Sequence, residues 1–324
     1  MKNLIGIIAA DPNSINSEII AKVWKKKAEF KNLNIFIIGN YILIKKQLEK
    51  IKVNLNLKKI SKIQKQNFKK KLLIYDVPLK FNRLFNISTK AKSDYVINSF
   101  KIAIKLMKGG KILGLINCPI NKIEIFRNKF FGTTEFLAKK EGVLGREVML
   151  LYNKQLSVSP ITTHIKLKKV SQNISKKKIV DKLITINKFF LKKLRMKPKI
   201  GILGLNPHND EFRKNSEERK FIIPAIKQLR KKRISVEGPL SPDTAFLDFK
   251  KKGFNVLVGM YHDQVLSPFK LLFKFDAINI TLGIPYIRIS PDHGTGKNLI
   301  KKNLANSKSL MECIKFFNNR NVKT

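Results

Sequence analysis

The chain has 324 residues, 43% of them hydrophobic, enough to bury one large core or two moderate ones. Its formal net charge of +45 comes from 67 Lys and Arg against 22 Asp and Glu, a balance that ordinarily points to nucleic acid or an anionic membrane surface. Here the basic residues are overwhelmingly Lys, scattered along the chain among abundant Asn and Ile as A/T-biased codon usage would leave them. They lack the interleaved aromatics of a base-stacking surface, so no specific nucleic-acid partner is expected. Two cysteines, Cys118 and Cys313, give no disulfide framework. No segment has the roughly 18 apolar residues of a membrane helix. Residues 4–10 are apolar but run into Asp11-Pro12, as a first strand does and a signal peptide does not. A cytoplasmic protein without membrane contact is expected.

The opening pattern alternates: strand LIGII, helix over 15–30, strand NIFIIG, helix over 41–51. That is βαβα, the signature of a parallel sheet. Residues 51–71 are basic and poorly patterned and read as a variable surface segment. The spacing predicts a helix over 88–107, opened by Ser88-Thr89 and closed by Gly109-Gly110. KILGLI (111–116) returns to the sheet, and 147–151 is again strand-like. Helices are predicted over 170–193, with a lysine-rich outer face, and over 216–232. The second carries Glu217-Glu218 near its start, where the dipole favours anions, and Pro224 at its first turn or a kink. Apolar runs at 200–205, 256–260, 277–282 and 285–289 read as strands, and 299–317 as one or two closing helices. There is no internal repeat.

Four histidines occur in the whole chain. His164, His208 and His262 each follow a β-like run. Taken alone, each could be an ordinary loop histidine. Three imidazoles converging at the C-terminal edge of one sheet, where ligands bind in open α/β folds, would instead hold a divalent ion such as Zn²⁺ or Co²⁺. No GxGxxG occurs, so a conventional Rossmann dinucleotide site is not indicated.

LNPH, MYHDQ, NITLGIPYIR and SPDHGT, in this order, with CPINK, GTTEFLA, TTH and GPLSPDTAF upstream of or between them, resemble the 4-hydroxythreonine-4-phosphate dehydrogenase family of vitamin B6 biosynthesis across nearly the whole chain. The resemblance implies a two-domain α/β/α fold of the isocitrate/isopropylmalate dehydrogenase-like type with its active site in the inter-domain cleft. The domains would span approximately 1–125 plus 285–324, and 126–284. It implies a homodimer that shares the site across its interface. His164, His208 and His262 would be metal ligands, His262 donated by the second subunit. The ion would be zinc, with cobalt or magnesium as alternatives. Thr133, Thr134, Lys270, Asn279 and Arg288 would hold the substrate and its phosphate. Arg offers a bidentate fork, Lys a point charge and Asn a neutral orienting group. The bland alternative for Lys270 and Arg288 is a solvated charge, which their position between apolar runs argues against. NAD, or alternatively NADP, would lie near His293, Gly294 and Thr295. Asp243 and Asp263 are candidates for proton handling or for orienting the ligands, or else are turn and cap residues. The implied reaction is oxidation of 4-phosphohydroxy-L-threonine at its C3 hydroxyl, then decarboxylation to 3-amino-2-oxopropyl phosphate.

The chain departs from the family pattern at three places. The glycine-rich GDPAGIGPE becomes Ala10-Asp11-Pro12-Asn13-Ser14-Ile15-Asn16-Ser17-Glu18, so any positive φ there falls to Asn or Ser. The histidine of GHTEF is Thr133, which keeps open a paralogous dehydrogenase of 4-phospho-threonate or 4-phospho-erythronate. After DHGT, Lys297 follows Gly296 and Lys301 stands for a glycine, which raises a 2′-phosphate contact as a possibility. A third reading, a basic binding protein on a decayed scaffold, is motivated by the charge and the lost glycines; the retained histidines argue against it.

Overall fold

The computed structural model describes residues 3–64, 67–130 and 132–318. The opening βαβα is β1 (Leu4–Ile8), α1 (Asn16–Lys25), β2 (Asn34–Gly39) and α2 (Tyr41–Lys50), the last capped by Asn40, whose side chain accepts from the Leu43 amide. β3 (Leu57–Ile60) and β4 (Leu72–Asp76) follow, then α3 (Thr89–Lys108), N-capped by Ser88 and ended at Gly109. Next come β5 (Gly114–Asn117), α4 (Lys122–Phe126), α5 (Thr133–Lys140), β6 (Val148–Tyr152) and β7 (Ser157–Pro160). α6 (Lys176–Phe189), β8 (Ile200–Leu203), α7 (Ile223–Lys231), β9 (Val236–Leu240) and α8 (Pro242–Asp248) lead to β10 (Val256–Gly259) and α9 (His262–Phe273). β11 (Ile278–Leu282), β12 (Arg288–Pro291) and α10 (Lys308–Asn318) complete the described chain.

Of these residues, those up to 133 and from 286 onward form one compact unit, and 134–285 the other. In the first, six strands run in the order β3-β4-β2-β1-β5-β12, all parallel. In the second the order is β11-β6-β7-β10-β8-β9. There β6 is antiparallel to both β11 and β7, and β7, β10, β8 and β9 are mutually parallel. Parallel strands covered on both faces should be apolar throughout, and the buried runs of β1, β8 and β10 are. The core of the second unit gathers Leu203, Phe249, Leu257, Val265 and Phe269 between β8, β10, α8 and α9.

Several local expectations are corrected. The supposed surface segment contains β3, an edge strand with Lys58 and Lys59 exposed, so its polarity reflects an edge and not the absence of structure. The helix expected over 170–193 begins only at Lys176, where the Ser175 hydroxyl accepts from the Lys178 amide, and its last turn widens into a π turn at Phe190–Leu194. The helix over 216–232 is a π turn, Glu218–Ile222, feeding α7, with Pro224 at the N-terminus of α7 where its missing N–H costs nothing. The closing helix is confined to α10. Lys270 lies in the last turn of helix α9, not between strands, and the last strand begins at Arg288 and not at Pro285.

Glu18 on α1 is 4% exposed; its Oε1 accepts from the Ala305 amide (2.7 Å) and from Lys22 Nζ (2.8 Å). It thereby ties α1 to the approach of α10. Removing one partner of a buried charged set leaves the others unsatisfied. Glu18→Ala is expected to cost about 2–4 kcal/mol and to lower the thermal midpoint by several degrees; an unchanged melting curve would contradict the assignment.

Candidate active site

The register between β7 and β10 places Pro160 opposite Gly259. The two chains leave the sheet side by side, with Ile161 N donating to Gly259 O (2.8 Å) and Thr162 N and Oγ1 both donating to Met260 O (3.1 and 2.7 Å). That shared exit delivers His164 and His262 together, with ring centroids 5.7 Å apart. β8 flanks β10 on its other side, and its exit carries His208. All three histidines therefore follow adjacent parallel strands of one unit, at their C-terminal ends.

Carboxylates orient both paired rings. His164 Nδ1 is 3.2 Å from Glu135 Oε1, and His262 Nδ1 is 2.7 Å from Asp263 Oδ1. A carboxylate accepts, so each Nδ1 donates, and in the neutral ring Nε2 is then the lone-pair nitrogen. This is the arrangement of metal-ligating histidines with their supporting carboxylates. The donor chemistry of this pair fits a divalent ion. His208 does not join the pair: among the described residues, no three His, Cys, Asp or Glu side chains group as a ligand set.

The His208 loop is held from below. Glu218, fully buried, accepts from the Leu205 and Asn206 amides through Oε1 (2.7 and 2.9 Å), and Asn206 Nδ2 donates to Glu217 (2.9 Å). The two glutamates assigned to a helix dipole instead clamp this turn. From His208 to Phe212 five successive non-glycine residues lie in the left-handed region, with φ between 46° and 59°. Asn209 and Asp210 tolerate that conformation; His208, Glu211 and Phe212 carry strain.

The remaining candidates divide between the units. In the second, Asp243 lies near the start of α8, exposed; the Ser241 hydroxyl, then backbone amides and the nearby His208, hold its carboxyl below the usual carboxylate range. Asp263 is largely exposed and engaged with His262. Lys270 is exposed on α9. Asn279 in β11 has its Oδ1 buried with no hydrogen-bond partner, and Thr134 Oγ1 is 3.0 Å from Thr281 Oγ1. In the first unit, Thr133 is 5% exposed and Arg288 only 2%, its Nε donating to Asn117 Oδ1 (2.6 Å), so Arg288 is no solvated surface charge. His293 Nδ1 donates to Gly294 O (2.9 Å), and Thr295 O accepts from Ile15 N (3.2 Å).

The glycine-poor N-terminal loop also corrects an expectation. Its one positive φ is at Ala10 (59°), not at Asn or Ser. The polar replacements are buried and hydrogen-bonded: Asn13 exchanges both bonds with the Ile87 backbone (2.9 Å each), and Asn16 Nδ2 donates to Ala9 O and Pro119 O. Asp11 accepts from the Asn13 and Asn121 amides. Lys297 Nζ is 3.0 Å from Glu124 Oε1, and Lys301 Nζ lies 6.0 Å from the centroid of the Phe85 ring.

Sequence reasoning missed Glu135 and Lys182. Glu135 stands inside the quoted motif GTTEF, the one acidic residue in it, and that was the available signal. Lys182 on α6 is 8% exposed; burial pushes its ammonium down to about 8, Lys178 adds to this, and Glu147 and Glu135 oppose it. The available signal was its spacing: with Ile179, Leu183 and Ile186 it falls on the apolar stripe of α6.

Compared with known proteins, residues 31–317 match the family described as pyridoxal phosphate biosynthetic protein PdxA. A 4-hydroxythreonine-4-phosphate dehydrogenase of Sulfurihydrogenibium sp. is 42% identical over 320 residues, 96% of each chain. A D-threonate 4-phosphate dehydrogenase of Salmonella typhimurium is 32% identical, covering 96% of this chain and 97% of that one. The crystal structure of 4-hydroxythreonine-4-phosphate dehydrogenase from Klebsiella pneumoniae superposes with a TM-score of 0.86 at 28% identity over 98% of both chains.

The buried lysine sets a pH dependence. Between about 8 and the ordinary lysine value of 10.5 the unfolded chain holds the Lys182 proton and the folded chain does not. Stability contributed at this position therefore rises with pH across that window and is lowest below it. Relative to Lys182→Met, the parent protein should gain on the order of 3 kcal/mol between neutral pH and the top of the window. Denaturant unfolding of both proteins across that range checks it, and parallel curves would contradict it.

Proposed function

We propose, from the premise that the chain belongs to the PdxA family of pyridoxal phosphate biosynthetic proteins, that it oxidises 4-phosphohydroxy-L-threonine at its C3 hydroxyl and that the product decarboxylates to 3-amino-2-oxopropyl phosphate. The observation that carries this reading is the pair of carboxylate-anchored imidazoles, His164–Glu135 and His262–Asp263, at the common exit of β7 and β10. His164, His208 and His262 are the residues that would hold a divalent metal; the resemblance gives His262 to the second subunit, whereas here it pairs with His164 within one chain. An all-imidazole set suits zinc, cobalt is the alternative, and magnesium, which prefers oxygen, is the least suited. When bound, the metal supplies Lewis acidity toward the substrate alcohol and the nicotinamide accepts hydride.

The chain's own groups do the rest. Glu135 and Asp263 fix the ring tautomers. Asp243, close to His208 and held ionised chiefly by the Ser241 hydroxyl, is proposed to orient that ring; its lowered carboxyl makes it a weak proton acceptor. Arg288, with its guanidinium held by Asn117, and Lys270 supply positive charge for the substrate phosphate, and Thr133 and Thr134 supply hydroxyls. Asn279 presents a buried acceptor with no hydrogen-bond partner among the described residues, which a substrate amino or hydroxyl group would satisfy. His293, Gly294 and Thr295 line the proposed nicotinamide site. NAD is the proposed cofactor and NADP the alternative: Lys297 is engaged by Glu124, which also accepts from Lys92, and Lys301 carries the remaining case for a 2′-phosphate contact.

The second subunit is proposed to dock on the face carrying Leu247, Leu271, Leu272 and Phe275, which are 79%, 80%, 48% and 48% exposed. These lie on α8 and at or just after the C-terminal end of α9, and exposed apolar side chains of this kind are what a copy of the chain would bury. The described helices include none long and apolar enough to cross a membrane. Two buried free thiols, Cys118 and Cys313, suit the reducing cytoplasm.

A second reading, oxidation of 4-phospho-threonate or 4-phospho-erythronate, is favoured by one observation: Thr133 stands where the resembled motif has histidine. Purified protein should form NADH with 4-phosphohydroxy-L-threonine only when Zn²⁺ or Co²⁺ is supplied, and His164→Ala and His262→Ala should each lose roughly 100-fold or more in kcat/KM. Turnover confined to 4-phospho-threonate would move the assignment to the second reading. Light scattering should give a dimer for the parent and a monomer for Leu271→Glu; a dimer for both would refute the docking face.

A further inference from the structure

The first unit holds a charge cluster that the proposed reaction does not use. Glu124, in the first turn of α4, receives donors from three parts of the chain. The Lys92 ammonium on α3 pairs with Oε2, while Lys297 Nζ (3.0 Å) and Asn121 Nδ2 (2.5 Å) both reach Oε1. Lys92 is 1% exposed, and an ammonium so buried needs an anion against it. Asn121 is also the N-cap of α4: its Oδ1 accepts from the Glu124 amide, and its own amide donates to Asp11 Oδ2 (3.0 Å). The other Asp11 oxygen accepts from the Asn13 amide, which leaves Glu124 as the carboxylate placed between the two ammonium groups.

The backbone fixes Lys297 from its own side. Ile15 N donates to Thr295 O (3.2 Å), Gly296 takes the left-handed φ of 60°, and Leu299 N closes a turn on Gly296 O (2.8 Å). Lys297 therefore follows directly on the Asp292–Thr295 segment with its ammonium reaching α4. Two ammonium groups and a side-chain amide that converge on one point are a donor set for a phosphate monoester. Here the chain's own carboxylate fills it.

We propose that Glu124 is a specificity-determining residue: a built-in anion that occupies the cradle of Lys92, Lys297 and Asn121, excludes the 2′-phosphate of NADP, and so selects NAD. The inference rests on the proposed dinucleotide site at His293–Thr295, which Lys297 adjoins. The reasoning is electrostatic. A phosphate monoester is close to dianionic at neutral pH. Brought to Lys297, it meets a carboxylate that cannot withdraw, because Lys92 holds the second oxygen in a buried pair that solvent screens little. Discrimination then comes from repulsion of the wrong cofactor, with no added contact to the right one.

The test is equilibrium binding to the full-length protein without turnover: nicotinamide fluorescence for NADH and NADPH, and calorimetry for 2′-AMP. The parent should bind NADH more tightly than NADPH. Glu124→Gln should shift the affinity ratio toward NADPH by about tenfold and tighten 2′-AMP in parallel. Adding Lys297→Met to Glu124→Gln should abolish both gains, which a lysine that only ties its turn to α4 would not do. If Glu124→Gln strands Lys92 and does not fold, Lys92→Met combined with Glu124→Gln removes the buried charge and still frees Lys297. An unchanged NADH-to-NADPH ratio on loss of the carboxylate would overturn the proposal, as would a parent that binds both dinucleotides equally. A parent that binds neither would overturn the cofactor reading and the proposal with it, so the two failures are told apart.

Discussion

The constraint on which the site depends is the parallel pairing of β7, β10 and β8. A parallel strand cannot turn directly into its neighbour, so each of the three must leave the sheet at the same edge and return by a crossover. Their exits therefore accumulate functional residues at one rim whatever the loops contain. The Pro160–Gly259 register then decides which residues meet, and a slip of one residue would turn every side chain of the strand to the opposite face. The amide and hydroxyl of Thr162, both donating to Met260 O, extend the pairing past the last strand residues and remove most of the freedom the two loops would have.

A second constraint is the scarcity of negative charge. Against 67 basic residues the chain has 22 acidic ones, and the buried or half-buried carboxylates sit at junctions. Glu18 joins α1 to the approach of α10, Glu218 holds the amides under His208, Glu124 accepts from both Lys92 and Lys297, and Glu135 orients His164. Surface lysine can drift with codon bias at little energetic cost, because a solvated charge hardly interacts. A carboxylate that satisfies buried amides cannot drift, since its loss strands donors in low dielectric. The extreme net charge and the ordered acidic interior are thus compatible.

The legible part of the sequence was the part with a period or a punctuation mark. βαβα at the start, the Ser88 cap and Gly109 stop of α3, and the histidines just past apolar runs all follow from local chemistry. β3 was not legible, because an edge strand with two exposed lysines has the composition of a loop. Lys270 was placed between strand-like apolar runs, whereas α9 carries it and continues through Pro268. Glu135 was invisible for another reason: its meaning lies in what it faces across the fold, His164 at the exit of β7, and no spacing encodes a contact between distant segments.

The N-terminal loop bears on whether this scaffold has decayed. Loss of every glycine from a segment that elsewhere in the family is glycine-rich could mean relaxed constraint. Relaxation would leave exposed or mismatched polar side chains, because burying an amide without partners is costly. Here Asn13 returns both bonds to the Ile87 backbone, Asn16 Nδ2 bridges the backbones after β1 and after β5, and Asp11 caps the Asn13 and Asn121 amides, all with little exposure, while the Asn16 Oδ1 is the one buried side-chain atom of the loop without a hydrogen-bond partner among the described residues. Conformational freedom supplied by glycine has been exchanged for rigidity supplied by side-chain hydrogen bonds. The same loop receives the Thr295 carbonyl through Ile15, and a Cβ at Gly296, where φ is +60°, would lie 2.8 Å from the Ile15 side chain. The Asp292–Thr295 segment thus remains braced where the lost glycines would have left it loose, which is how a working site, and not a relic, would absorb such substitutions.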